Sequence, residues 1–177
     1  MCRSGAAGPA QAGVPPSARS QADHSEREAW EERMHTLRTT MVRVGADMPW
    51  NTLEAHRHLS HRTIVSPGDA DRLCIRLSTV LWERIGVGGA VLPHFHDVAE
   101  IIHITVGCVR LLRDGEWQTF QAGDTFLVPA GVVHSVENAD NAPTEQVSIF
   151  LPPAGAGEAN APFQTYLVAA DGAGVTG

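Results

Sequence analysis

An all-β chain is what the sequence predicts, a sandwich or barrel of short antiparallel strands with one helix before it. Three observations carry that expectation. From Arg62 onward, short runs of Val, Ile, Thr, Leu and Phe are separated by Gly, Pro, Asp and Asn, which is strand-and-turn chemistry. Asp114-Gly115 stands between two of these runs as a two-residue hairpin signal. No helical period lies between the runs, which argues against a parallel α/β sheet.

In chain order, residues 1–24 are rich in Ala, Gly, Pro and Ser and poor in large apolar side chains, so they read as a disordered tail that cannot repay the entropy of ordering. Residues 25–61 open with Ser25 three positions before Glu28, a capping-box spacing. Trp30, Met34, Leu37 and Met41 then recur at helical intervals, predicting an amphipathic helix that packs on the barrel or on a second chain. Within 62–152 the predicted strands are Thr63–Val65, Leu73–Ile85, Ala90–His96, Glu100–Val106, Val109–Arg113, Trp117–Gln121, Thr125–Val128, His134–Glu137 and Gln146–Leu151. Residues 153–177 return to Ala, Gly and Pro, with a run from Phe163 to Val168 that reads as a last edge strand.

Composition narrows the function classes. The chain has 177 residues, enough for one domain with its own core, and a formal net charge of -7. An acidic surface repels phosphate backbones and anionic membranes, and no helix-turn-helix is evident, so neither nucleic acid nor a membrane is expected as partner. Every one of the 13 basic residues is Arg, which removes lysine Schiff-base chemistry. Cys2, Cys74 and Cys108 are odd in number and widely spaced, and no signal peptide or membrane span can be drawn, so a reducing, cytoplasmic setting is expected.

The chemistry concentrates in LPHFHDVAEIIHITVG. His94 and His96 are two apart, so on a strand both imidazoles leave one face, with roughly 6 to 7 Å between their Cα atoms. Asp97-Val98 makes a turn, after which Glu100 shares a strand face with Ile102 and Ile104 and closes on the same point. A further ligand comes from AGDTFLVPAGVVHSVEN, where His134 follows the turn Pro129-Ala130-Gly131. Three imidazoles and one carboxylate suit a divalent transition metal, leaving one or two exchangeable positions.

Gly88 to Gly107 resembles the first cupin motif, G(X)5HXH(X)3E(X)6G, through Gly88, His94, His96, Glu100 and Gly107. Gly123 to Asn138 resembles the second, G(X)5PXG(X)2H(X)3N, through Gly123, Pro129, Gly131, His134 and Asn138. The resemblance covers residues 62–152 and implies a double-stranded β-helix, a jelly-roll barrel, holding metal on His94, His96, Glu100 and His134. It implies an enzyme acting on a small organic molecule, first an Fe(II) oxygenase, in which Glu100 serves as ligand or swings away as catalytic base. Alternatives are a metal-dependent isomerase, cyclase or lyase with the metal as Lewis acid, and a non-catalytic ligand-binding protein; Mn, Ni, Cu or Zn are open in place of iron.

Softer expectations concern the surroundings. If Leu73, Ile75, Leu77 and Leu81 share one strand face, Arg76, Trp82 and Arg84 share the other, where an Arg either binds a substrate carboxylate beside the metal or forms a surface ion pair. Phe126 and Phe150 are candidates for lining the cavity or filling the barrel. His103, three beyond Glu100, should face away from the metal. His56, His58 and His61 precede the predicted barrel and read as exposed. Edge strands that need cover, with an amphipathic helix before them, predict a homodimer.

Overall fold

The computed structural model describes residues 40–153, 157 and 160–168, together with His24, Arg27 and Glu28. Those three are helical, with His24 Nε2 3.2 Å from Glu28 Oε1 one turn on. Residues 1–23 and the stripe Trp30, Met34 and Leu37 lie outside the described residues. Met41, expected on the same stripe, is in irregular, exposed chain.

The described residues from Met41 onward form a compact unit. Its strands are β1 (Asn51–Thr52), β2 (Arg57–Val65), β3 (Thr79–His96), β4 (Ala99–Val106), β5 (Cys108–Arg113), β6 (Glu116–Gln121), β7 (Thr125–Val128), β8 (His134–Asn138), β9 (Thr144–Leu151) and β10 (Thr165–Leu167), with one short helix, α1 (Pro67–Arg72). They curl into an antiparallel jelly-roll barrel in the order β6-β5-β8-β3-β9-β4-β7, with β2 and β10 also paired to β3. At the β5–β6 turn both Asp114 and Gly115 have positive φ, the conformation a tight two-residue hairpin demands.

Strand β3 makes the barrel possible. Its first half, Thr79 to Ile85, pairs with β9; its second half, Ala90 to His94, pairs with β8, so one strand belongs to both walls. The bend between the halves falls at Gly86–Gly89, where a Cβ on Gly89 would lie 2.7 Å from the Gly86 carbonyl and 2.9 Å from that of Arg57. Asn138 Nδ2 reaches this bend, donating to the carbonyls of Ile85 and Gly86 at 3.0 Å each. The side chains of Leu59, Ile85, Ile102, Ile104, Val109 and Val136 fill the interior beside it.

Several expected boundaries change. The strand placed at Leu73 begins at Thr79, because Ser66 caps a helix instead: its Oγ accepts from Asp69 N, the Asp69 carboxylate accepts from Ser66 N, and Pro67 opens the first turn. Strands β1 and β2 start inside the segment 25–61 that was expected to be helical. In the C-terminal extension, the edge strand expected within Phe163–Val168 is present as Thr165–Leu167, paired with His96–His94.

Candidate metal centre

The barrel brings together the four side chains that the motifs single out. His94 and His96 come from the end of β3, Glu100 from β4 across the Asp97-Val98 turn, and His134 from the start of β8, where it pairs with His94. All four are buried, between 3% and 5% exposed, and their donor atoms lie within 4.8 Å of one another.

The hydrogen bonds decide which nitrogens face inward. His94 Nδ1 is 2.6 Å from the Leu92 carbonyl and His134 Nδ1 is 3.0 Å from the Val132 carbonyl. A carbonyl only accepts, so both Nδ1 atoms carry protons and both Nε2 atoms present lone pairs to the centre. There His94 Nε2 meets His96 Nε2 at 3.0 Å, and Glu100 Oε2 lies 2.9 Å from His134 Nε2 and 3.3 Å from His96 Nε2. Lone pairs and a carboxylate in a buried cluster call for a cation at the centre. A metal about 2.1 Å from each donor would set neighbouring ligands at right angles about 3.0 Å apart, so the donor set fits a divalent transition metal.

Without an ion, burial would lower His134, but its contact with Glu100 outweighs burial and raises the pKa, so a cation bound there displaces a proton from that ring. Burial, then the neighbouring His134 and His96, lowers the His94 pKa to about 3, which keeps the ring neutral and able to ligate. Burial alone would raise Glu100, but the His134 and His96 rings beside it outweigh burial and hold the carboxylate well below its ordinary value.

The family model described as Cupin domain matches residues 81–150, which contain all four of these side chains. Residues 81–150 form a cupin domain. Among solved structures, a predicted oxalate decarboxylase from Thermotoga maritima is 19% identical with a TM-score of 0.58, covering 64% of this chain and 100% of its own. The polyketide cyclase RemF from Streptomyces resistomycificus is 16% identical with a TM-score of 0.58, covering 75% of this chain and 89% of its own. KdgF from Halomonas is 17% identical with a TM-score of 0.54, covering 66% and 97%. At these identities the likeness establishes the shared fold. No curated protein matches the sequence.

The cluster opens into a cavity of about 380 Å³ inside the cupin barrel. Phe150 lines it, stacked on Phe163 of the C-terminal extension at 3.9 Å, with the edge of His96 against both rings. Thr165 Oγ1 lies 3.0 Å from His96 Nδ1. His103 is exposed and bonds Thr125, on the face away from the cluster.

Four of the five pocket candidates lie elsewhere. Trp82 and Arg84 are on the outer face of β3, where both bind the Glu145 carboxylate and Arg84 lies over Trp50. The alternation predicted for this strand holds, but its odd-numbered face, Leu81, Glu83 and Ile85, is the inner one. Arg76 is exposed in the loop before β3. Phe126 packs on Phe120 in the apolar core and does not line the cavity.

Conversely, residues expected to be exposed or passed over enter the cavity. His56 sits 5.5 Å, ring to ring, from His94 and accepts a hydrogen bond from Leu92 N; burial, then His96, lowers its pKa to about 4. His61 also lines the cavity, whereas His58 is exposed as expected. Glu83 was not singled out: it is 5% exposed, and burial, then Glu100, raises its pKa. Two signals were available. Leu59, His61 and Thr63 alternate as a strand once β2 is extended backward, and Glu83 shares parity with Leu81 and Ile85.

Proposed function

We propose that this cupin domain is a metal-dependent enzyme acting on a small organic molecule. The observation that carries the proposal is the set of four buried donors, three imidazoles and a carboxylate, opening on a cavity of substrate size. His94, His96, Glu100 and His134 would hold the ion, which supplies Lewis acidity and, as Fe(II), activation of dioxygen. The chain's own part is to orient and to exclude water: Leu81, Ile102, Phe150 and Phe163 wall the cavity with apolar surface. Fe(II)-dependent oxygenation is the first reading of the reaction.

A second reading, isomerisation, cyclisation or elimination without dioxygen, is favoured by one feature. Glu83 is a buried carboxyl on the cavity wall whose pKa is raised toward the range useful for proton transfer.

The test begins with elemental analysis of protein purified without chelators. About one transition-metal ion per chain is expected, with affinity falling at least tenfold in His94→Ala and in His134→Ala, as loss of even a supporting group does at such sites. His103→Ala should leave metal content unchanged. Oxygen uptake with Fe(II) and candidate phenols, thiols or organic acids, absent with Zn(II), supports oxygenation. Equal anaerobic turnover with Zn(II) supports the second reading. Failure of the folded protein to take up any of these ions would sink both.

A further inference from the structure

Away from the four-donor cluster, a different part of the cavity wall carries polar groups that the metal does not account for. His61 on β2 and Glu83 on β3 are direct cross-strand partners, so their side chains leave the sheet together, and both line the cavity. Gln146 on β9 is opposite Glu83 on its other side and lines the cavity as well.

Two atoms of this trio are buried without a hydrogen-bond partner: His61 Nδ1 and Gln146 Oε1. Of the trio, Glu83 is firmly held: Gln146 Nε2 and Ser148 Oγ both donate to Glu83 Oε2 at 2.7 Å. Folds seldom leave buried polar atoms unmatched, and two on one cavity wall point to a ligand group that matches them. A hydroxyl does so by donating its proton to Gln146 Oε1 and accepting from His61 in the tautomer that carries its proton on Nδ1. A carboxylate does not: among the described residues no Arg lines the cavity, and Glu83 would oppose a second negative charge.

Position bounds the length of the ligand. Phe150 is the β9 partner of Glu100 and Gln146 is the β9 partner of Glu83. Four residues along a strand span at most about 13 Å between Cα atoms, and Glu83 is near enough for the Glu100 charge to raise its pKa, so one small molecule at the metal reaches the second polar region. Between them the wall is apolar, with Leu81, Ile102 and Phe150.

We propose that His61, Glu83 and Gln146 form a second subsite that binds a hydroxyl group of the substrate not held by the metal, so that the substrate is a small, largely apolar and uncharged molecule carrying a hydroxyl there. The proposal rests on the enzyme reading above for the word substrate, and on the cavity wall alone for the subsite.

Three 2-naphthols that differ only at carbon 6, bearing hydroxyl, methyl or carboxylate, test it by calorimetry on zinc-loaded protein. The 6-hydroxy compound should bind about tenfold tighter than the 6-methyl compound, and the 6-carboxylate should bind no tighter than the methyl. In His61→Leu the hydroxyl preference should fall to near unity, while zinc content and thermal midpoint stay at wild-type values; Gln146→Leu should reduce it too. Equal affinity for hydroxyl and methyl, tighter binding of the carboxylate, or a preference that survives in folded His61→Leu overturns the subsite. If a variant does not fold, the order of the three compounds on the parent protein decides. The same series on metal-free protein separates the two readings: a preserved hydroxyl preference without metal uptake removes the metal-dependent enzyme and leaves the subsite standing.

Discussion

Each of two imidazoles at the centre is aimed by the carbonyl two residues before it, Leu92 for His94 and Val132 for His134. The aiming is therefore local, and it works wherever the strand geometry is kept. Gly107 shows the same economy at the end of the first motif. Its φ is +83°, and a Cβ there would lie 2.7 Å from Cγ2 of the buried Thr144. Left-handed backbone costs a non-glycine residue of order 1 to 3 kcal/mol, and the clash adds to it. Gly107→Ala should accordingly lower unfolding free energy by about 2 kcal/mol or more in urea titrations, with an unchanged slope; a loss under 0.5 kcal/mol would contradict this account.

Among the elements, α1 depends on its first turn. Asp69 is buried, accepts from Ser66 N and Oγ, and is approached by Arg43 and Arg72. Backbone and side-chain hydrogen bonds from Ser66, above all, hold its pKa below the ordinary 3.8, and the two arginines add to the shift. A carboxyl whose folded pKa is depressed contributes stability above its unfolded pKa and loses it as pH falls through the folded one. Wild type should therefore be more stable than Asp69→Asn at neutral pH, and the gap should narrow as pH drops below about 3.8. Denaturation midpoints measured from pH 7 down to pH 2 check this, and a gap independent of pH would refute it.

For the whole molecule, the open question is association. The sheet ends at β6 and at β7, and β7 presents Leu127 at 76% exposure. Val106, at the end of the adjoining β4, is also exposed. Unpaired edges with apolar side chains are liabilities that folds cover. We propose a homodimer, and light scattering during size exclusion at micromolar concentration should give twice the 18.9 kDa chain mass; a monomer mass would end the idea. Among the described residues no helix is long and apolar enough to cross a membrane.

By itself the sequence determined an all-β sandwich or barrel, the hairpin at Asp114-Gly115, the outward face of His103 and, in the two motifs that resemble cupins, the set His94, His96, Glu100 and His134. All of these depend on period-two alternation and on turn chemistry within a few residues, which spacing alone expresses. Tertiary structure decided what faces the cavity. Whether the even or the odd face of β3 is inward depends on its pairing with β9, which placed Glu83 inside and Trp82 and Arg84 outside. His61 entered the cavity because β2 begins at Arg57, and Phe163 did so because β10 returns to pair with His94–His96. Such contacts join residues far apart in the chain, and no local pattern encodes which of two faces a distant strand will cover.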